Sequence, residues 1–477
     1  MHKESEKSWL AHLAEDQRYA AMAGLGFSSG LPFLLVYSTQ SAWHSAHAGA
    51  PPSMTSPRAL AVRYGAWSQP PRQQGAAQRH SQRPIRSPAK SEAGVPIETI
   101  GLLSELTIAY KFKFVWSPFL DKYDPPLLAS FVGRRRGWII VSQIAVMLAL
   151  AGVAFGDPAH WIAWTVVFSL VLGFAGATQD VTIDGWRITA APPGKQSLMT
   201  AFSEAGFRIG TLAAGAGTLI AADRYGWRVA YICMAALMTI GALSAILAPE
   251  PESDLVARRD HAGFVATIIT PIKELMGRLG PWAVPVLLLI AGFRMPGYMS
   301  SAMSVPLFKS LHVSDTEIAT VTKMLGFWIA LGGTFLASYV VRKVGLMTSL
   351  LVGTVAGSAS HLSLAWLAGA GQSDLLPFAV AVGVEGLAYS FAQVVLITYM
   401  SSLVSTEFAA SQFALMTSLC ALPGSLLAGT SGFVIERTGF QDFFIGTSLI
   451  GIPVALLAWF VWRKHPPVVV PLLPPYD

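Results

Sequence analysis

The 477-residue chain is poor in charge. Asp, Glu, Lys and Arg make up 13% of it, against roughly 25% in a soluble domain. With 53% hydrophobic residues and a mean hydropathy of +0.51, that deficit excludes a water-soluble enzyme, a disordered protein and a coiled coil. Cysteine is nearly absent as well. Cys233 and Cys420 are the only two and lie in apolar runs, which excludes a disulfide framework and a thiolate metal cluster. There is no G-x-x-x-x-G-K-[ST]: the stretch from Pro192 to Ser197 lacks the first glycine and the hydroxyl after Lys195. The phosphate cradle of an ATP-driven pump is therefore missing. No H-E-x-x-H, Cys/His cluster or serine-nucleophile motif stands in a plausible context, which leaves an intramembrane enzyme without support. The early charges, from Lys3 to Asp16, are not followed promptly by the apolar region and small-residue site of a cleavable leader. The first apolar run is expected to be a retained membrane helix.

What the chain does contain is long apolar blocks. Twelve candidate spans lie near 20–43, 98–118, 137–156, 160–184, 198–222, 226–248, 281–303, 316–340, 344–368, 375–403, 408–433 and 440–462. Each has about the 20 residues a helix needs to cross hydrocarbon, and none reads as the ten-residue alternation of a barrel strand. A polar stretch at 249–280, with Glu250, Glu252, Asp254, Arg258, Arg259, Asp260, Lys273 and Glu274, parts six spans from six. The expected architecture is an all-α polytopic membrane protein built from two parallel repeats, the plan of a transporter. Its parts are an N-terminal segment 1–19, a first half 20–248, a linker 249–280, a second half 281–464 and a tail 465–477. A weak echo supports the repeat: "FLDKYD…VGRRRGW" joins spans 2 and 3, and "ASYVVRKVG" joins spans 8 and 9.

Seventeen Lys and Arg residues fall in the alternate loops that include both termini, against Arg224, Arg228, Lys309 and Arg437 in the opposite set. Both termini are thus expected to be cytoplasmic. The first outer loop breaks this rule. Residues 45–90 hold seven bases and no acid, are rich in Pro, Gln, Ser and Ala, and read as a disordered insertion. It is either a basic arm that touches anionic lipid or cell-wall polymer, or a segment without a role. It also accounts for the whole +6 net charge, since the remaining chain balances 26 bases against 27 acids. The basic balance therefore implies no nucleic-acid partner.

A charge in hydrocarbon costs several kcal/mol, so ionisable residues within spans face a cavity or each other. Ten such charged positions remain: Glu105, Lys111, Lys113, Asp180, Asp184, Glu204, Arg208, Arg294, Lys323 and Glu385. Span 4 ends "GATQDVTIDGWR", which puts Asp180 and Asp184 on one helix face with Arg187 in reach of Asp184. Two nearby buried carboxylates suit a site that takes up and releases a proton; the alternative is an ion-pair network that locks the helix. In span 5, Glu204 precedes Arg208 by four residues, which fits either a self-satisfied pair or a substrate contact, and Gly206 and Gly210 permit close helix packing. Lys113 and Arg294 fit an anionic group of a substrate, or else neutralise carboxylates on neighbouring helices. Pro296 and Gly297 beside Arg294 predict a broken helix in span 7. Glu385, Tyr389 and Gln393 share a face of span 10, as sugar-binding or as packing residues. His361 is read as a core histidine.

"GFSSGLPFLLVYSTQSAW", "ETIGLLSELTIAYKFKFVWSPFLDKY", "GRRRGWIIVSQ" and "GATQDVTIDGWR" resemble AmpG-type muropeptide permeases of the major facilitator superfamily, which are related to acetyl-CoA transporters. The resemblance covers nearly the whole chain in span layout, with its specific motifs in the first half. It implies the major facilitator fold in a bacterial inner membrane. The implied activity is proton-coupled import of anhydromuropeptides (GlcNAc–anhydro-MurNAc peptides) from periplasm to cytoplasm for cell-wall recycling. By the resemblance Gln179, Asp180, Asp184 and Arg187 occupy the family's acidic fourth-helix motif and Lys113 its second-helix lysine. With the charges read within the spans, proton coupling is expected at Asp180, Asp184 and Glu204, and Lys113, Gln179, Arg208, Arg294, Glu385 and Tyr389 are expected against the substrate. Asp121, Arg134, Arg135, Arg136 and Arg187 fall to the cytoplasmic gate. No cofactor or metal is expected beyond the proton gradient; the partners are an amino-sugar peptide, protons and the lipid bilayer, and no ATPase subunit is evident. The alternatives are another anionic cargo, such as an acyl-CoA, and a non-transporting sensor of cell-wall fragments. The insertion at 45–90 has no counterpart in the family pattern.

Overall fold

The computed structural model describes residues 16–35, 108–156, 161–251, 263–371 and 374–464. The insertion at 45–90, Glu105 and the tail from 465 lie outside the described residues. Within them all regular structure is helical, as hydrocarbon demands where no water can satisfy an open sheet edge. Ten helical stretches are long and apolar enough to cross a membrane, and they coincide with spans 3 to 12. Spans 1 and 2 enter as Gln17–Leu34 and as Ile108–Phe112, Lys113–Val115 and Ser117–Lys122. Large apolar side chains such as Leu148, Phe174, Leu243, Trp328 and Leu456 remain exposed, the arrangement expected of faces that lipid covers.

Span 3 is Arg134–Ala154, span 4 is Ile162–Ala190, and span 5 opens with Gln196–Leu212. In the second half, span 7 is Ala283–Phe293 followed by Met295–Ser310, span 10 is Leu375–Ser402 and span 11 is Ala409–Ala428. Spans 3, 6, 9 and 12 begin in one way. Gly133, Gly226, Gly345 and Gly439 precede them with φ of 83°, 83°, 88° and 79° and ψ of 171°, 161°, 161° and 171°. Only glycine holds such a conformation without strain. The same joint recurs every third span, the period of three-helix repeats nested within each six-helix half.

Span 2 breaks at Lys113–Val115 for a local reason. Pro118 lacks the N–H that would bond Phe114, and its ring would clash with that carbonyl in a continuous helix. Spans 1 and 5 cross with backbone against backbone. A Cβ on Gly206 would lie 2.0 Å from the Ala23 carbonyl oxygen, and one on Gly210 would lie 2.1 Å from that of Phe27. Reciprocally, a Cβ on Gly26 or Gly30 would lie 2.2 or 2.3 Å from the carbonyl oxygens of Ser203 and Phe207. The expected Gly206/Gly210 contact is thus one side of a four-glycine seam.

The stretch 249–280, read as a polar linker, holds a helix, Phe264–Leu279. Its buried face, Thr267, Pro271, Leu275 and Leu279, repeats every four residues, a period hidden by the charges between. Lys122 Nζ donates to Thr267 Oγ1 at 2.9 Å, and Arg278 reaches Gln412 Oε1 at 3.2 Å and Glu274 at 2.9 Å. The helix therefore straps the charged ends of spans 2 and 11.

Two outcomes follow for stability. Gly206→Leu should force spans 1 and 5 apart and lower the melting temperature of the purified protein, at a cost of about 1–3 kcal/mol. Gly217→Ala, where an added Cβ meets open space, should leave it unchanged. Asp16 caps span 1 by accepting from Arg18 N at 3.1 Å and pairs with Lys195 Nζ at 2.8 Å. Burial opposes its ionisation, but Lys195 and the Arg18 N–H outweigh that and hold the carboxyl below its ordinary value. A carboxyl lowered on folding stabilises above its unfolded value near 4 and stops doing so as pH falls through the folded one. Asp16→Asn keeps an oxygen for the cap but loses the Lys195 pair, so it should cost at most about 1 kcal/mol at pH 7, less in high salt, and nothing at a pH well below 3.

Candidate functional site

Several of the candidate residues converge where the halves meet. Spans 1, 4 and 5 on one side and 7, 10 and 11 on the other enclose a cavity of about 140 Å³. Ser29, Asp180, Asp184 and Glu204 line the first wall, and Arg294, Gln393, Phe413 and Cys420 the second. Three carboxylates thus share a cavity with one guanidinium.

The Ser29 hydroxyl of span 1 donates to Asp180 Oδ1. One residue earlier on each helix, Ser28 Oγ accepts from Gln179 Nε2 at 3.0 Å, and also from Gln143 Nε2 of span 3 at 3.1 Å. Two neighbouring serines therefore meet two neighbouring residues of span 4. Gln179 does not share this wall. A step of one residue turns it about 100° from Asp180, so its amide is fully buried inside the first half and does not line the cavity. Lys113 is likewise set back from the cavity. The break in span 2 carries it into the bundle, buried, where it acts electrostatically on Asp180 rather than lining the cavity.

Asp184 pairs with Arg187 at 3.3 Å, as the spacing predicts. Glu204 and Arg208 form no ion pair. Arg208 Nη2 instead donates across the halves to Ser390 Oγ at 3.1 Å, while its Nε is buried without a hydrogen-bond partner among the described residues. Glu204 is left facing the cavity, within the fields of Arg208, Arg294 and Arg187.

Span 7 breaks at Arg294, which ends one helix and starts the next, where Pro296 and Gly297 predicted it. Arg294 Nη2 donates to the Tyr389 hydroxyl at 2.6 Å, and the guanidinium lies 5.0 Å from the Tyr298 ring centre and 5.8 Å from that of Tyr389. Arg294, Tyr389 and Gln393 also border a smaller chamber of about 30 Å³ that reaches His361. Glu385, half-buried one turn further out on span 10, lines neither space.

The charged end of the cavity is closed. Asp121 accepts from Arg135 Nη1 at 2.7 Å, from the Ala410 and Ser411 backbone N–H at 3.2 and 2.7 Å, and from the Ser411 hydroxyl. It thereby joins span 3 to the start of span 11, where the helix dipole favours an anion. Arg134 donates to the Asp121 carbonyl. Arg136 turns away to pair with Glu250 at 3.1 Å. Arg187, 1% exposed, bridges the halves by donating to Ser401 Oγ at 3.0 Å and stacking 5.1 Å from the Phe413 ring centre. Ser29, Tyr298 and Ser390 are neutral residues that a search for charges passes over; the small-residue run "GFSSG" is the one signal that could have found Ser29.

The profile of the Major Facilitator Superfamily matches residues 94–429. The chain is 26% identical over 452 residues to the anhydromuropeptide permease of Escherichia coli (strain K12), covering 94% of this chain and 81% of that one. It is 27% identical over 383 residues to an AmpG-named transporter of Rickettsia prowazekii (strain Madrid E), covering 78% and 90%. Among solved structures, a proton:xylose symporter bound to 6-bromo-6-deoxy-D-glucose superposes with a TM-score of 0.61 at 13% identity, over 94% of this chain and 95% of that one. The human organic anion transporter MFSD10 gives 0.62 at 13% identity, over 92% and 99%. At such identity these structures bear on the fold alone.

Asp121→Asn removes the negative charge that accepts from buried Arg135 Nη1 and from the first N–H groups of span 11, which weakens the closed form. Asp121→Asn should therefore open the charged end. In a Cys233→Ser background, maleimide labelling of the cavity residue Cys420 in inside-out vesicles should speed up at least about tenfold, the effect of about 1.4 kcal/mol.

Proposed function

Because the chain belongs to the major facilitator superfamily, and is thus a multi-pass membrane transporter rather than an enzyme, we propose that it imports anhydromuropeptides across the bacterial inner membrane, from periplasm to cytoplasm, in symport with protons. The observation that carries this reading is the division of the cavity walls. Carboxylates Asp180, Asp184 and Glu204 lie on one half, and Arg294 between two tyrosines lies on the other. A carboxylate in a low-dielectric cavity is suited to load and unload a proton. A guanidinium presents a fork of N–H donors that fits a peptide carboxylate, and flanking aromatic rings suit a sugar face. The names of the relatives point to the same cargo.

A cavity of about 140 Å³ is smaller than the roughly 300–1,000 Å³ of a small-molecule pocket, so the halves must part to admit a disaccharide peptide. Rocking about the midplane would do this. Proton binding at Asp180 removes one negative charge from the first wall, and cargo binding at Arg294 neutralises the second. The emptied and the doubly loaded cavity then differ in how much unpaired charge is sealed away from water.

Uptake of labelled anhydromuropeptide into right-side-out vesicles tests the reading. It should collapse with an uncoupler, and Asp180→Asn should reduce it at least about tenfold with protein still in the membrane. Arg294→Gln should raise KM about tenfold or more, the value of a hydrogen bond to a charged group. Uncoupler-insensitive uptake removes the proton; competition by an acyl-CoA but not by unlabelled muropeptide reassigns the cargo.

A further inference from the structure

The Tyr110 hydroxyl of span 2 is sunk into a notch on span 4. Gly176 makes the notch: a Cβ there would lie 2.3 Å from the hydroxyl oxygen. Gly176 is one helical turn before Asp180, so both share a face, and helical side chains lean toward the N-terminus. The Asp180 carboxylate therefore leans toward the place the hydroxyl occupies. That hydroxyl is buried and has no hydrogen-bond partner among the described residues. Its ring is pinned edge-on against Phe33, with centroids 5.6 Å apart at 90°. Asp180 meanwhile spends one oxygen, Oδ1, on Ser29, while Oδ2 takes no hydrogen bond among the described residues.

We propose that the Tyr110 hydroxyl is a second arm for Asp180, donating to the carboxylate once its proton has left, which makes Tyr110 a positioning residue for proton coupling. An unpartnered buried donor beside an acceptor with an open lone pair is an unfinished hydrogen bond. It is completed by a small movement of span 2 against span 4. Tyr110 keeps its own proton throughout, and the proton of Asp180 departs through the cavity. The other groups that face Asp180 are Lys113 on span 2, Ser29 on span 1, Asp184 on its own helix and Glu204 on span 5. All of them persist when the hydroxyl is removed. This inference rests on the reading of Asp180 as the proton site.

The test is the pH dependence of uptake in Tyr110→Phe, which keeps the ring and its contact with Phe33. Losing a donor to the ionised form should move the external pH of half-maximal uptake upward by about half to one unit. Gly176→Ala, which fills the notch and displaces the hydroxyl, should shift it the same way. A readout independent of transport is the carboxyl stretch in infrared difference spectra, assigned by its loss in Asp180→Asn; it should move in Tyr110→Phe. A superimposable pH profile together with an unmoved band overturns the proposal. Coupled uptake that survives in Asp180→Asn instead overturns the reading beneath it, so the two failures are distinguishable.

Discussion

Spans 1 and 5 meet backbone against backbone. Where spans 1 and 5 cross, four glycines let carbonyl oxygens approach to distances that any Cβ would block. Lipid tails are as apolar as leucine, so helices gain little from burying apolar surface against each other and must associate through close packing. The consequence reaches the cavity directly. Ser29 lies one residue before Gly30, and Glu204 one residue after Ser203, whose carbonyl meets Gly26. The seam therefore fixes the depth of two cavity-lining residues, and Asp180 is registered against it through Ser29.

A second constraint is the cost of charge away from water. The chain meets it by sorting. On the first half the acids line the cavity, while Lys113 is buried behind them and Arg187 is locked to Asp184, Ser401 and Phe413. On the second half Arg294 takes the exposed place, framed by aromatic rings and a phenolic hydroxyl. The closed end follows the same logic, since the buried Asp121 spends its lone pairs on Arg135 and on the first N–H groups of span 11.

Much of this was legible from residues alone. Long apolar blocks led to the ten spanning helices seen among the described residues because hydropathy is a sum over many residues. The Asp184–Arg187 pair and the break at Arg294 were readable because each depends on neighbours within one turn. What escaped depends on other helices. Arg208 abandoned the expected Glu204 pair because Ser390, 182 residues away, offered its hydroxyl. Gln179 and Lys113 were placed against the cargo, whereas a 100° turn and a proline-induced break direct them inward. Ser29 and Tyr110 carry no charge, so nothing marked them against the other hydroxyls of the spans. The helix Phe264–Leu279 was hidden by charges that alternate with its apolar face.

The glycine joints before spans 3, 6, 9 and 12 reach beyond local geometry. They mark the chain as four tokens of one three-helix type, with successive tokens crossing the membrane in opposite senses. Tokens alike in build but opposite in direction need not rest in the same shape. If each can adopt the shape of its inverted sibling, exchanging the two shapes between them turns the molecule's open side into its closed side. The second face of the transport cycle is then already written in the first, and a single fold encodes both ends of the journey.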